Sequence, residues 1–430
     1  MVAGLMIAAI SLGIVVWVIS AAQDIVPPDT SDLELDCREV PESDNACSVW
    51  LLIPNALQLP DQFSALVKET SSEDMPSLDL GELLNDNARV FEMIREGLAR
   101  PMCQIPRAES IDSEMPYLSP WLNASHLLTL KIRDHRSWGE QEAALDTALM
   151  QIEFTDRITR NAEGLISFLL GSTMLREGLA QTRNIIQSGD CSPQQLRSVL
   201  GVLSAPTPTI TGLQRAIKVE YRCLQASIVD LVLHAIQLAP DPDSQAAKRL
   251  GWLTRRSYLF QPNRTLRELA DLYRTMMANA SKPLSQIIPL EELGAFKAVN
   301  EHRFMTVLQP NAVGKLLVTL LTPAADNILI RKCQTEADRS ATTIIAYLHL
   351  YHQQFHDLPA TLVELDQVGL RMVPIDPFDG QPFRYKRGSK MIYSVGSNLT
   401  DEGGSTESME APASCDTVDL VYSLGTMLDP

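Results

Sequence analysis

Residues 373–404 read VPIDPFDGQPFRYKRGSKMIYSVGSNLTDEGG, and this stretch decides the fold of the C-terminal part of the chain. Two prolines, two aspartates and a glycine within Val373–Gly380 make a dense turn signal. Phe383–Lys386 and Met391–Val395 are rich in aromatic and branched residues and flank Arg387-Gly388-Ser389, which predicts an antiparallel hairpin. Alternation along a strand places Phe383 with Tyr385 on one face, and Met391, Tyr393 and Val395 together on one face, so one side of the sheet is expected to pack on a helix through these residues. That helix is predicted just upstream. Ala337, Ala341, Ile344, Leu348, Tyr351 and Phe355 recur at helical spacing over 334–355, and His356-Asp357-Leu358-Pro359 ends the run before a short helix over 360–365. Residues 334–430 are therefore expected to form a small α+β domain, a helix with an antiparallel sheet.

Upstream, the apolar period is that of helices, with segments predicted near 80–98, 120–152, 164–187, 193–203, 209–239 and 264–280. Residues 56–333 are read as a large, mainly α-helical domain. Residues 23–55, with Pro27-Pro28, Asp and Ser and little periodicity, are read as a linker. A chain of 430 residues with 45% hydrophobic residues has the material for two or three such units, at roughly 100–200 residues each.

Location is read from the first residues. Val2–Ala22 carries no charge, and crossing the hydrocarbon layer takes about 20 apolar residues. The expectation for 1–22 is a single transmembrane anchor. A signal segment cleaved near Ser20-Ala21-Ala22 is the alternative. Between Gln23 and Ala88 stand 15 acidic and two basic residues, a poor cytoplasmic flank, so the bulk of the chain is expected in the periplasm of a bacterium, held to the inner membrane. The net charge of −17, from 36 Lys+Arg against 53 Asp+Glu, argues against nucleic acid as a partner. The basic and aromatic run Lys248–Arg267 is read as balancing local carboxylates.

Chemistry-bearing constellations are few. No HExxH, GxSxG, phosphate-binding loop or GxGxxG occurs, so no enzymatic activity is expected. Cys37 and Cys47 lie close together in a polar stretch and are a disulfide candidate among seven cysteines. His349, His352 and His356 stand at i, i+3 and i+7, an alternative metal site of three imidazoles on one helical stripe. Glu220, beside Lys218 and Arg222 in a long helix, is read as an ion-pair partner.

The order of DLPATLVEL (357–365), VPIDPFDGQPFRYK (373–386), MIYSVGSNLTDEGG (391–404) and DTVDL (416–420) resembles the globular half of the major pseudopilins of type II secretion. The resemblance covers residues 334–422 and implies a loop that binds calcium. By position it assigns Asn398 and Asp419 as side-chain ligands and Ser394 and Leu399 as carbonyl donors. Asp401 and Asp416 are further carboxylates nearby. Asn398 replaces the family's aspartate, and 405–414 is longer than the family needs. From Met391 onward there is no Lys or Arg, so repulsion among the carboxylates favours uptake of a hard cation. No acidic residue lies within Val2–Ala22, and residues 23–333 intervene before the module, so a pilus is not expected. The function expected is that of a membrane-anchored structural or interaction protein with a protein partner in the cell envelope, possessing no cofactor besides calcium. The alternative is an envelope hydrolase with its site in the helical region.

Overall fold

The computed structural model describes residues 23–35, 39–61, 63, 67, 80–204, 208–238, 258–293, 297, 299, 309–321, 325–405 and 419–425. Among these the helices are α1 (Ala46–Trp50), α2 (Ile53–Ala56), α3 (Leu80–Asp86), α4 (Ala88–Leu98), α5 (Leu118–Ser137), α6 (Gln141–Arg160), α7 (Leu165–Gln187), α8 (Pro193–Leu203), α9 (Pro208–Leu238), α10 (Pro262–Ala280), α11 (Ala312–Leu321) and α12 (Ala325–Phe355). Three strands follow, β1 (Arg384–Lys386), β2 (Met391–Ser394) and β3 (Leu420–Ser423), in the antiparallel order β1-β2-β3.

Among the described residues helix dominates and the strands are three, antiparallel, so the expected α+β class gives way to a mainly α-helical fold with one small sheet. The expected single-pass anchor, with the inner-membrane and periplasmic placement built on it, is corrected as well. Among the described residues no helix is long and apolar enough to cross a membrane, and Val2–Ala22 lie outside them. The longest helices, α9 and α12, are interrupted by charged residues that the packing puts to use.

Packing begins with α6 and α7, joined by a short loop and brought close by glycine. A Cβ at Gly171 would stand 3.0 Å from the Thr159 Cα, and one at Gly178 would stand 3.2 Å from Ile152. The pair separates three apolar clusters. On one side Trp50, Ile94, Trp121, Phe154 and Met174 are buried together. The Trp121 indole donates to the Trp50 carbonyl at 2.9 Å, and Gly97 leaves the space that the Trp50 ring fills. Residues 46–55, expected within the linker, thus carry two short helices anchored by Trp50 and Ile53, both fully buried. A second cluster joins α9 and α10 through Tyr221, Leu224, Leu269 and Tyr273, with Leu33 laid on top. The strap that carries Leu33 also caps α10: the Asp24 carboxylate accepts the amides of Asn263 and Arg264 at 2.9 and 3.1 Å, satisfying donors that a helix N-terminus leaves open.

The third cluster runs without a break from the bundle into the sheet. Ile152, Leu175, Leu179 and Leu196 pack with Ile344 and Leu348 of α12 and with Phe378, Ile392 and Tyr422. The expected helix over 334–355 is present, and it starts nine residues earlier, at Ala325. Its first half is polar yet buried. Asp338 receives Arg176 at 2.6 Å and Arg183 at 3.0 Å from α7. Arg339 reaches the opposite way, to Asp156 of α6 at 3.0 Å and to the Leu203 carbonyl at the end of α8 at 3.1 Å. Lys332 pairs with Glu336 at 2.8 Å, which also accepts the Thr209 hydroxyl.

The strand register sets Tyr385 opposite Ile392, and Ile392 opposite Tyr422. These residues face α12, so the helix-packing side of β2 is carried by Ile392 and not by Met391 and Tyr393 as alternation suggested. Met391 and Tyr393 are buried under the following loop, where Gly404 lies against both. The sheet also touches the bundle directly. The Gln187 amide donates to the Ser423 carbonyl, the Arg183 guanidinium lies 5.1 Å from the Tyr422 ring centre, and buried His349 bonds the Leu424 carbonyl at 3.0 Å.

Removing one member of a buried ionic set strands the others away from water, at a cost of about 3–5 kcal/mol. The Asp338→Ala protein is expected to unfold at markedly lower denaturant than the parent by about that free energy, whereas Arg89→Ala, on an exposed pair, should cost about 1 kcal/mol or less. Equilibrium urea unfolding followed by far-ultraviolet circular dichroism measures both.

Candidate functional site

The turn after residue 373 builds the site around Asp376, which is fully buried. Its Oδ1 accepts the Phe378 amide at 2.9 Å and the Ser394 hydroxyl at 2.8 Å, and its Oδ2 accepts the Val395 amide and Arg384 Nη1, both at 3.0 Å. One carboxylate therefore ties the turn, β1 and the end of β2. Burial pushes its pKa up, against the hydrogen bonds that pull it down. Beside it burial works to raise Asp379, yet the bonds from Arg384 and the Gln381 amide outweigh it and hold that carboxyl below the usual range.

The loop 395–405 leaves β2 through Gly396 and folds back over Met391 and Tyr393. Gly403 and Gly404 both take positive φ, +73° and +63°, and a Cβ at Gly404 would stand 3.0 Å from the Tyr393 ring, so the backbone descends where a side chain would not fit. The descent brings the Gly404 amide to Asp419 Oδ2 at 2.6 Å. Asp419 is buried, and its Oδ1 has no hydrogen-bond partner among the described residues. Burial raises its pKa foremost; the Gly404 amide opposes this, and the Glu402 carboxyl within hydrogen-bond reach adds to it. Two carboxylates so placed repel each other, and a cation between them would relieve that repulsion.

The other expected ligands divide. Asn398 accepts the Thr400 amide at 3.0 Å and donates to Glu402 at 2.5 Å, so its amide nitrogen, and not its oxygen, faces Glu402. Asp401 turns away: Oδ1 accepts the Gly403 amide at 2.8 Å, and Oδ2 lies 3.6 Å from Arg384 Nε. The Ser394 hydroxyl is spent on Asp376, which leaves its carbonyl as the donor in question. Leu399 adopts a left-handed φ of +58° with an exposed side chain. Asp416 lies outside the described residues. Glu402, which the sequence counts among the mutually repelling carboxylates but not among the ligands, is exposed and stands within reach of Asp419. Absence of basic residues after Met391 does not leave the loop without cations, because β1 supplies them: Arg384 joins Asp376, Asp379 and Asp401, and Lys386 donates to the Gly403 carbonyl at 2.5 Å.

The histidine stripe separates. His349 points inward to the Leu424 carbonyl, and burial lowers its pKa, while His356 is exposed and ends α12 at a φ of +55°. Among the described residues no group of three His, Cys, Asp or Glu is placed to hold a metal ion, so a cation at the loop would draw on carbonyl and amide oxygens as well. Cys37 also lies outside the described residues, and Cys47 stands against Cys103, with sulfur atoms 2.8 Å apart.

Among the described residues Glu220 does not find the ion pair expected for it. Lys218 bonds the Glu34 carbonyl and Arg222 the Ala108 carbonyl, whereas the Glu220 carboxylate faces the Leu165 amide at the N-terminus of α7 at 3.5 Å. A cleft of about 450 Å³ in the helical region is lined by Asn85, Phe91, Glu92, Arg95, Lys131 and Asp134 among others, without Ser, Cys or His.

Burial raises the pKa of Glu220, opposed only by the Leu165 amide. A folded-state value above the unfolded one contributes stability that is fully present below the unfolded pKa, about 4.3, and is lost as pH rises through the folded value. Glu220→Gln keeps an acceptor for Leu165 and removes the titration. It is therefore expected to gain stability relative to the parent progressively as pH rises from 4 toward neutrality, in urea titrations run at a series of pH values.

No family model matches the chain, and neither a curated protein nor a solved structure matches it.

Proposed function

We propose that the chain is a structural or interaction protein whose helical body carries a pseudopilin-head-like unit, with calcium fastening the loop 396–405 to Asp419. The observation that carries the reading is the buried Asp419 Oδ1, without a hydrogen-bond partner and facing a second carboxylate, Glu402. Support for the family part comes from the order of elements, a long helix, a meander of three strands and a Gly-Gly loop returning to a late aspartate, which follows the order of the motifs that carry the resemblance.

In this reading Asp419 and Glu402 hold the ion, Asn398 steadies Glu402 through its amide nitrogen, and Ser394 and Leu399 offer carbonyls. Calcium favours six to eight oxygens of this hard, mixed kind. Bound calcium neutralises two carboxylates that otherwise repel each other. The chain's own contribution is positional: Gly404 lets the loop descend, Lys386 fixes the Gly403 carbonyl, and Arg384 withdraws Asp401 from competition. The loop surface thereby becomes a fixed shape that a partner protein can recognise.

Thermal unfolding of the full chain tests this. Calcium at about 100 times its dissociation constant should add about 2.7 kcal/mol. With the Asp419 pKa raised, the metal-free fold keeps its full contribution below the unfolded value and loses it as pH rises through the folded one, so the calcium effect should grow in the same direction. Asp419→Asn should abolish the calcium response. The reading fails if calcium leaves the midpoint unmoved while Asp419→Asn alone raises it, because the pair is then stabilised by a proton.

A further inference from the structure

Cys47 and Cys103 are brought together by backbone pairing rather than by chance contact of side chains. Asn45 and Met102 form a parallel bridge: the Ala46 amide donates to the Met102 carbonyl at 2.8 Å, and the Met102 amide donates to the Asp44 carbonyl at 3.0 Å. The Asn45 side chain pins both segments. Its Oδ1 accepts the amides of Cys47 at 3.1 Å and Gln104 at 2.8 Å, and its Nδ2 donates to the Gln104 carbonyl at 3.0 Å. Arg100 adds a bond to the Asn45 carbonyl at 3.0 Å. The two sulfur atoms, 2.8 Å apart, sit between these fixed points, Cys47 buried and Cys103 half-buried.

We propose that Cys47 and Cys103 are a disulfide-forming pair, oxidised by a small dialkyl disulfide such as oxidised glutathione, and that the bond locks α1 to the segment leaving α4. The Cys103 thiolate, on the solvent side, attacks one sulfur of the small disulfide, forming a mixed disulfide and releasing one thiol. Cys47 then attacks the Cys103 sulfur and expels the second thiol. Two protein thiols lose two electrons and both protons, and the small disulfide is reduced to two thiols that carry those protons. The neighbouring Cys103 and burial both push the Cys47 thiol up, which leaves the first attack to the more exposed Cys103; once Cys103 is in the mixed disulfide, Cys47 gives up its proton as it attacks. The Arg157 cation opposes that shift while donating to the Arg100 and Leu98 carbonyls at 2.6 and 2.9 Å, so positive charge and a fixed loop are present at the same place. The other described cysteines are apart from this pair, Cys191 on the Ile185 carbonyl, Cys223 on the Ala108 carbonyl and Cys333 on the Pro377 carbonyl.

The lock would close a loop from 47 to 103 that contains α1 to α4, the layer covering Trp50. Cross-linking a loop of this length restricts the unfolded chain, so the folded layer gains resistance to unfolding.

The test uses the full chain, equilibrated with oxidised glutathione or with dithiothreitol, alkylated without denaturant and then digested with trypsin. Cleavage after Arg38, Lys68, Arg95 and Arg107 puts Cys47 in the fragment 39–68, Cys103 in 96–107 and Cys37 in neither. The expected product after oxidation is 39–68 joined to 96–107, lighter than the two reduced fragments by two hydrogens, with a thermal midpoint above that of the reduced protein. Cys103→Ser should fold as the parent does when reduced, and its midpoint should not respond to oxidised glutathione. The proposal is overturned if 39–68 and 96–107 remain separate after oxidation, or if 39–68 is joined instead to the fragment ending at Arg38, which would make Cys37 the partner.

Discussion

The structure depends on two adjacent residues of opposite charge in the middle of α12. Asp338 faces α7 and takes two guanidinium groups, while Arg339 faces α6 and α8 and takes a carboxylate and the carbonyls at a helix end. Withdrawing such groups from water is costly, and the cost is recovered only when every partner is in place. A shift of α12 by one residue would present each charge to the wrong neighbour. The pairing therefore fixes the rotation and height of α12 against three other helices at once, a specificity that the surrounding leucines and isoleucines cannot supply by themselves.

From that placement the C-terminal unit follows. One turn beyond the charged stretch, Ile344 and Leu348 enter the same apolar cluster as Ile392 and Tyr422, so the sheet is set on a helix whose position is already determined. His349, Gln187 and Arg183 then hold β3 by bonds and a ring contact that originate in α12 and α7. With the sheet seated, its other face carries Met391 and Tyr393, and the loop that shields them must approach closely. Glycine at 404 allows the approach, and the approach carries Glu402 onto Asp419. A constraint in the bundle thus reaches the loop through packed elements, and no separate device is needed.

Much of the helical body is legible in the sequence because amphipathic helices announce themselves by period. The predicted segments over 164–187, 193–203 and 264–280 agree closely with α7, α8 and α10. The first half of α12 escapes the same reading: Lys332, Glu336, Asp338 and Arg339 look like a solvated face, and only their partners, more than a hundred residues away in several cases, make them interior. Strand β2 misleads for a related reason. All four of its residues are buried, so alternation says where side chains alternate but not which side meets the helix. Asp376 reads as an ordinary Asp-Pro turn residue, yet it joins the turn to both neighbouring strands. Sequence proximity made Cys37 the natural partner for Cys47, whereas Asn45 and its bridge to Met102 bring Cys103 across a long interval.

The distribution of charge at the loop follows from where the cations of β1 project. Arg384 lies among Asp376, Asp379 and Asp401, and its reach ends there. Lys386, two residues on and so on the same face, spends its charge on the Gly403 carbonyl and lies 5.7 Å from the Tyr393 ring centre. Of the carboxylates that sequence alone pools into one acidic loop, Asp401 is thereby drawn toward the turn and its arginine. Glu402, exposed, and Asp419, buried, are left within reach of each other, with amides from Gly404 and Asn398 but no cation among the described residues paired with either. The imbalance is local and geometric: β1 is three residues long, and its two cations are already engaged by Asp376, Asp379, Asp401 and the Gly403 carbonyl.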